Sequence, residues 1–495
     1  MSNVNCRLSI GRAAVSVRRS FGNWQLAIGI ALLIAGCAPR EWILPKVGID
    51  PPALRDFPAD FTPPLSSETN QPMVGFGGNG GGVHRTPLIF IHGNTVSARY
   101  WLPDRAYFKK AGYTDDELWA LGYGWDNVRY FDSGDLSVPS VDRIVTSVMD
   151  YLSKKTGRPI RQVDLVGHSL GVTLVRQWMQ QTNSWHKVRN FIGACGANDG
   201  VWTAWPDARG QNRVVSFELY PHSPWLRQLN RHGETPGPTR YMTLYDGTGW
   251  GDVLFPHPSE HSGALKGAYN LAYNVEHGTN YGHLELPRES GPMEAMVQFL
   301  RKAPEPLPQA EPPKLVREGN LVRADQREAL VHCAAGGDYP TRETPGARDV
   351  SLGELAVYTC YARNAKSELS SPMARYKAHR AQSDAAPTLS ASHAAGAYEQ
   401  PLFVSLTASD PNAFIVYSTG GASPDSGSPL YTEPVYVPGP LTLTAIAIAP
   451  DGRISEPLKL EYDISLEKVE ATHTLQRQFD PEVPERYEGR RKVGR

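Results

Sequence analysis

A serine sits between small residues in Gly167-His168-Ser169-Leu170-Gly171. Glycines two positions to either side let a chain turn so sharply that the hydroxyl stands clear of the backbone, able to attack a carbonyl. The motif follows an apolar strand-like run at 163–166 and precedes a helical pattern with Leu174, Val175 and Trp178. That strand–turn–helix context separates it from a chance match and from a simple helix N-cap. A serine hydroxyl needs a neighbouring base, and the base needs an acid that holds its tautomer. The expected chain order is serine, acid, histidine. His283, in Asn280-Tyr-Gly-His-Leu-Glu-Leu286, lies on a loop before the last helical stretch at 293–300 and is the base candidate, with His277 as its rival. Asp252 is the favoured acid because it lies a few residues beyond the strand-like 241–245 and is followed by Val-Leu-Phe255. Asp246, ending that strand, and Asp199 remain alternatives. His92-Gly93-Asn94 closes an earlier apolar run at 87–91 and nominates the backbone amides of Asn94 and Leu170 as oxyanion donors. His92 reads as a core histidine, with His168 a second structural histidine flanking the site. His257 and His261 share a proline-containing loop with no helical face to converge on a cation, so neither a metal nor a cofactor is expected.

These groups need a scaffold. From about 87 to 302, short apolar runs alternate with amphipathic helical patterns, such as Val141, Ile144, Val145, Val148, Met149 and Leu152 before the stop signal Thr156-Gly-Arg-Pro159. Alternation of that kind implies an α/β class with a mainly parallel sheet and right-handed crossovers. The stretch between Asn198 and Tyr241 carries Trp202, Trp205, Phe217, Tyr220, Trp225 and Leu226. Trp202, Trp205 and Trp225 are candidates to line a cap over apolar acyl groups or a polyester surface, the bland reading being that they pack the cap's own core. Segment 38–86 lacks a period and ends in a glycine tract at 75–82, expected to be a flexible loop. A proline-rich linker spans 303–314. Beyond it the period becomes two. Two small all-β sandwich-like domains are expected, at 315–384 and 385–465, followed by a charged tail at 466–495. All triad candidates precede the linker, so the hydrolytic core is expected to close by about residue 302.

The composition is that of a globular chain: 495 residues, 40% hydrophobic, 20% charged and a net charge of −1. The length implies several domains. The charge balance offers no whole-chain case for binding nucleic acid. Residues 1–37 combine Arg7, Arg12, Arg18 and Arg19 with an apolar run too short to span a bilayer comfortably, as in a secretory signal. Of the five cysteines, Cys6 and Cys37 lie in that region, and Cys195 sits in an apolar stretch as a buried thiol. Cys333 and Cys360 remain as the pair that an oxidising compartment would join. Closing their loop of roughly 27 residues is worth about 3–4 kcal/mol in the chain-entropy model.

Several resemblances sharpen these expectations. Ile34-Ala35-Gly36-Cys37 resembles a bacterial lipobox, which implies lipidation at Cys37; Ala38, with no acid after the cysteine, implies outer-membrane retention, or secretion if no lipid is attached. Phe90-Ile-His-Gly-Asn94, Gly167-His-Ser-Leu-Gly171, Gly196-Ala-Asn198 and Gly282-His283 together resemble the class 2 lipases and the similar lipase-like poly(3-hydroxybutyrate) depolymerases. That resemblance covers roughly 87–300 and implies an α/β-hydrolase fold, a serine ester hydrolase with a Ser169–His283–Asp252 triad, and an apolar ester or polyester substrate. The insertion between Asn198 and Tyr241 departs from the smallest lipases. The Tyr-Thr-Cys360 triplet resembles immunoglobulin-like domains, without their tryptophan between the cysteines. Residues 387–464, with Tyr417-Ser-Thr-Gly-Gly, Ser423-Pro424 and Gly452-Arg-Ile-Ser455, resemble the chitobiase/β-hexosaminidase C-terminal module. A glycan or surface contact through the β domains follows as an expectation, and a non-catalytic glycan-binding surface lipoprotein is the alternative from a different class.

Overall fold

The computed structural model describes residues 54–94, 96–124, 134–204, 214–354, 356–378 and 385–464. Cys37 and the leader, Trp205 and the charged tail lie outside the described residues. One sheet organises the first half. Its strands are β1 (Arg55–Asp56), β2 (Gly75–Phe76), β3 (Leu88–Ile91), β4 (Leu118–Leu121), β5 (Val163–His168), β6 (Val188–Ala194), β7 (Arg240–Tyr245) and β8 (Tyr269–Ala272). They lie in the order β1-β2-β4-β3-β5-β6-β7-β8. Strands β3 to β8 are parallel to one another, and only the β2–β4 pairing is antiparallel. This is the order of an α/β-hydrolase sheet. The central strands are apolar along their whole length because both faces are covered: every residue of β3, β5 and β6 is buried.

The connecting helices are α1 (Leu102–Lys110), α2 (Gly134–Thr156), α3 (Leu170–Gln181), α4 (Val214–Leu219), α5 (Pro224–Asn230), α6 (Tyr273–His277) and α7 (Ser290–Arg301). Val138, Val141, Ile144, Val145, Val148 and Leu152 form the buried stripe of α2. Gly157 at φ 66° ends that helix in the left-handed conformation that favours glycine. Among the described residues no helix is long and apolar enough to cross a membrane.

Two expectations change here. The described part of segment 38–86 supplies the two outermost strands at one side of the sheet, β1 and β2, and its glycine tract is packed. A Cβ on Gly77 or Gly78 would lie 2.5 Å from the Trp119 ring. The amides of Gly80 and Gly82 donate to the two carboxylate oxygens of buried Asp116. The proline-rich segment is likewise tied down. Arg189 pairs with fully buried Asp164 and with Glu305, 2.6 Å away, while Glu305 also accepts from Thr86.

The C-terminal half is built of short, mainly antiparallel strands. Leu330–Ala335 and Val357–Asn364 pair so that Cys333 faces Cys360, and the two are joined by a disulfide. The bridge thus links neighbours within one sheet rather than two facing sheets. Both β regions share apolar cores with the hydrolase half. Tyr339, Tyr361 and Met373 join Trp185, Val188 and Phe191 of the first half. Phe217, Trp225 and Leu229 join Val404, Tyr417, Val435 and Tyr436. The described residues from 54 to 464 accordingly form one compact unit, so the core that closes around the sheet extends beyond residue 302.

Candidate active site

The C-terminal edge of the parallel sheet carries the chemistry-bearing residues. Strand β5 ends at His168, and α3 begins at Leu170. Between them Ser169 adopts φ 54° and ψ −127°. A non-glycine residue held there stores about 1–3 kcal/mol of strain, sustained by packing on both sides. The flanking glycines are steric requirements. A Cβ on Gly171 would lie 2.6 Å from the His92 carbonyl oxygen, and one on Gly167 would lie 3.0 Å from that of Gly171. Ser169 is half-buried, and its hydroxyl makes no hydrogen bond among the described residues. Gly93 passes so close that a Cβ there would meet Ser169 Cβ at 2.7 Å, which brings the 92–94 turn alongside the serine. Leu170, as the first residue of α3, has an N–H without a partner inside the helix.

His283 and Asp252 meet. His283 Nδ1 lies 2.7 Å from Asp252 Oδ2, and both side chains are buried. The second carboxylate oxygen of Asp252 accepts from the Leu254 amide at 3.0 Å. With Nδ1–H donating to the carboxylate, Nε2 is left as the accepting nitrogen. Phe255 stacks on the imidazole at 5.6 Å. His168, fully buried, donates from Nε2 to the His283 carbonyl at 2.9 Å. Burial, then the nearby His283, pushes the His168 imidazole well below its ordinary range, so it is neutral at pH 7. Tyr100 stacks on His168 at 4.7 Å and donates its hydroxyl to the Leu284 carbonyl at 3.0 Å. Two consecutive carbonyls of the His283 loop are thus clamped by one stacked pair.

The rival candidates lie elsewhere or are occupied. His277 is exposed and stacks on Tyr273. Asp199 is exposed and contacts Asn230. Asp246 is buried, but both its oxygens are taken by donors of the 248–252 loop and by Asn274. His92 is a core histidine: Nε2 accepts from the Tyr123 amide, Nδ1 faces the Gly93 carbonyl, and the ring stacks on Tyr123 at 4.2 Å. Asn94 is half-buried in the turn after β3. His257 pairs with Glu260 at 2.7 Å. Of the aromatic candidates, Trp202 is half-buried and edge-on to Tyr220. Trp225 is buried in the core shared with the C-terminal module.

Cys195 is the unexpected neighbour. It is buried, and its thiol, His168 and His283 present ligand atoms within 4.8 Å of one another. Burial raises the thiol well above its ordinary range, and the charge of Asp252 raises it further. A protonated thiol with His283 Nδ1 engaged by Asp252 suits packing and hydrogen bonding better than a cation. Tyr100 and Asn274 carried no signal in the sequence, since each acts through a fold contact between distant segments, whereas Phe255 is legible there only as one of the apolar residues that follow Asp252.

Residues 85–246 match the family of class 2 lipases. The match runs from β3 to the end of β7 and includes Ser169, while Asp252 and His283 lie beyond it. Residues 393–459 match the chitobiase/β-hexosaminidase C-terminal domain. Among solved structures, Aspergillus fumigatus lipase B is similar at 15% identity and TM-score 0.34, over 51% of this chain and 57% of its own, under two thirds of its length. Bacillus licheniformis lipase BlEst2 in its propeptide form is similar at 13% identity and TM-score 0.35, over 78% of this chain and 98% of its own. Legionella pneumophila phospholipase PlaB is similar at 12% identity and TM-score 0.28, over 61% and 88%. The family match supports a hydrolase of the lipase and esterase type.

Proposed function

We propose that the protein is a serine carboxylic-ester hydrolase acting on apolar acyl esters, exported and held at the outer membrane through lipid on Cys37. The observation that carries the enzymatic reading is the buried 2.7 Å contact between His283 Nδ1 and Asp252, on a loop where the His283 carbonyl is hydrogen-bonded by His168, the residue before a serine held in a strained turn. In this reading Ser169 Oγ attacks the ester carbonyl and His283 Nε2 takes its proton. The amides of Leu170 and Asn94 receive the oxyanion, and His283 returns the proton to the departing alkoxide. Water then enters by the same route and releases the acid. Asp252 holds the tautomer and stabilises imidazolium.

Substrate polarity is argued from the surroundings. Phe255 covers one face of His283, and Leu170, Ala197 and Val201 share its apolar cluster. A polyester substrate is the second reading, favoured by Trp250, 85% exposed two residues before Asp252. Fluorophosphonate labelling followed by peptide mapping tests the nucleophile, with p-nitrophenyl esters of graded length and polymer granules as substrates. The label should fall on Ser169, and Ser169→Ala should lower kcat by about four to six orders of magnitude while remaining folded. Activity that survives this substitution would refute the reading.

A further inference from the structure

Asp246 and Asn274 are both buried, and neither touches His283 or Ser169 through a hydrogen bond. They meet between the two loops that carry the acid and the base. One carboxylate oxygen of Asp246 accepts from the amides of Gly251 and Asp252, at 3.2 and 3.3 Å. The other accepts from the Thr248 hydroxyl at 2.6 Å and from the Asn274 amide. Asn274 then reaches the opposite loop. Its Nδ2 donates to the Tyr281 carbonyl at 2.9 Å, and its Oδ1 accepts from the Tyr281 amide at 2.9 Å and from Thr279 at 2.8 Å. A primary amide that both donates to and accepts from one residue fixes that residue's plane, because it can do so in one orientation only.

The packing around this pair leaves no slack. A Cβ on Gly251 would fall 2.5 Å from Asn274 Nδ2, 2.7 Å from the Tyr281 carbonyl and 2.9 Å from Asp246 Oδ1. A Cβ on Gly282 would come 3.5 Å from the Gly251 carbonyl. The residues immediately before Asp252 and His283 are therefore neighbours across the strut.

We propose that Asp246 and Asn274 are positioning residues. They form a strut that sets the Asp252 loop against the His283 loop, so that the 2.7 Å carboxylate–imidazole contact is preformed. The inference rests on the ester-hydrolase reading of this site. Its expected size follows from positioning: a displacement of about 1 Å at a catalytic contact can cost about a hundredfold in rate. In Asp246→Asn one oxygen becomes an NH2 group facing donors, and in Asn274→Ala the bridge to Tyr281 is gone.

The test measures kcat and KM on a soluble short ester for the full chain, with kcat expressed per fluorophosphonate-titrated serine. Normalising in this way removes any misfolded fraction, which a purely structural role would enlarge. Each variant should lose about 10- to 100-fold in kcat per titrated serine, with KM within about twofold. The double variant should be no worse than the poorer single, as expected of two groups acting as one unit. If Asp246→Asn fails to fold, Gly251→Ala replaces it: the added methyl pushes the strut apart without altering a charge and should lower kcat about tenfold or more. Parent kcat per titrated serine in a folded strut variant, with Ser169→Ala inactive, would overturn the strut alone. Activity surviving Ser169→Ala would overturn the strut together with the hydrolase reading.

Discussion

Replacing Asp252 by asparagine isolates what the carboxylate does, because the side chain keeps its shape. In the parent, Asp252 Oδ1 accepts from the Leu254 amide at 3.0 Å and Oδ2 faces His283 Nδ1 at 2.7 Å. The Leu254 N–H requires an acceptor, so the new amide places its oxygen there and its NH2 group toward His283. An N–H donor facing Nδ1 drives the imidazole proton to Nε2. That nitrogen must be empty to take the proton of Ser169. Loss of the productive tautomer in a serine triad costs about 10⁴ in kcat, or roughly 5 kcal/mol at 1.36 kcal/mol per tenfold step. Volume is unchanged, so the unfolding midpoint should move little. The assay is hydrolysis of a soluble p-nitrophenyl ester, with active serines counted by titration and circular dichroism confirming the fold. A folded Asp252→Asn protein whose kcat stays within tenfold of the parent would refute the assignment of Asp252 as the acid.

Trp225 is buried among Leu226, Leu229, Tyr417 and Tyr436, so Trp225→Ala should lower stability by about 3–5 kcal/mol in denaturant unfolding and leave KM on a short ester within about twofold. A raised KM at unchanged stability would return Trp225 to the substrate surface. For the proposed anchor, Cys37→Ser should accumulate as unlipidated precursor, and mass spectrometry should find a lipidated Cys37 at the N-terminus of the parent in membrane fractions; a mature terminus at any other residue would remove the anchor.

Features dictated by local geometry are legible in the chain before any long-range contact is known. Gly167 and Gly171 around Ser169, between an apolar run and a helical pattern, specify the turn wherever it occurs, because only glycine tolerates the approach of the His92 and Gly171 carbonyls. The period of 3.6 in α2 and the continuous apolar runs of β3 and β5 likewise announce a buried parallel sheet before any contact is known. Segment 54–82 was opaque because strands of two residues are too short to show a period. The pairing of His283 with Asp252 rather than Asp246 was also not legible in full. Both acids follow β7, and the distinction lies in which carboxylate is already saturated by the Gly251 and Asp252 amides, Thr248 and Asn274. The roles of Tyr100 and Asn274 depend on loops far apart in the chain meeting above one sheet edge. That the β modules complete the hydrolase core emerges from packing between distant segments. Burial of Trp185 against Tyr339, and of Trp225 beside Tyr417 and Tyr436, is a property of two surfaces, and neither sequence segment encodes alone whether its apolar residues face a partner or water.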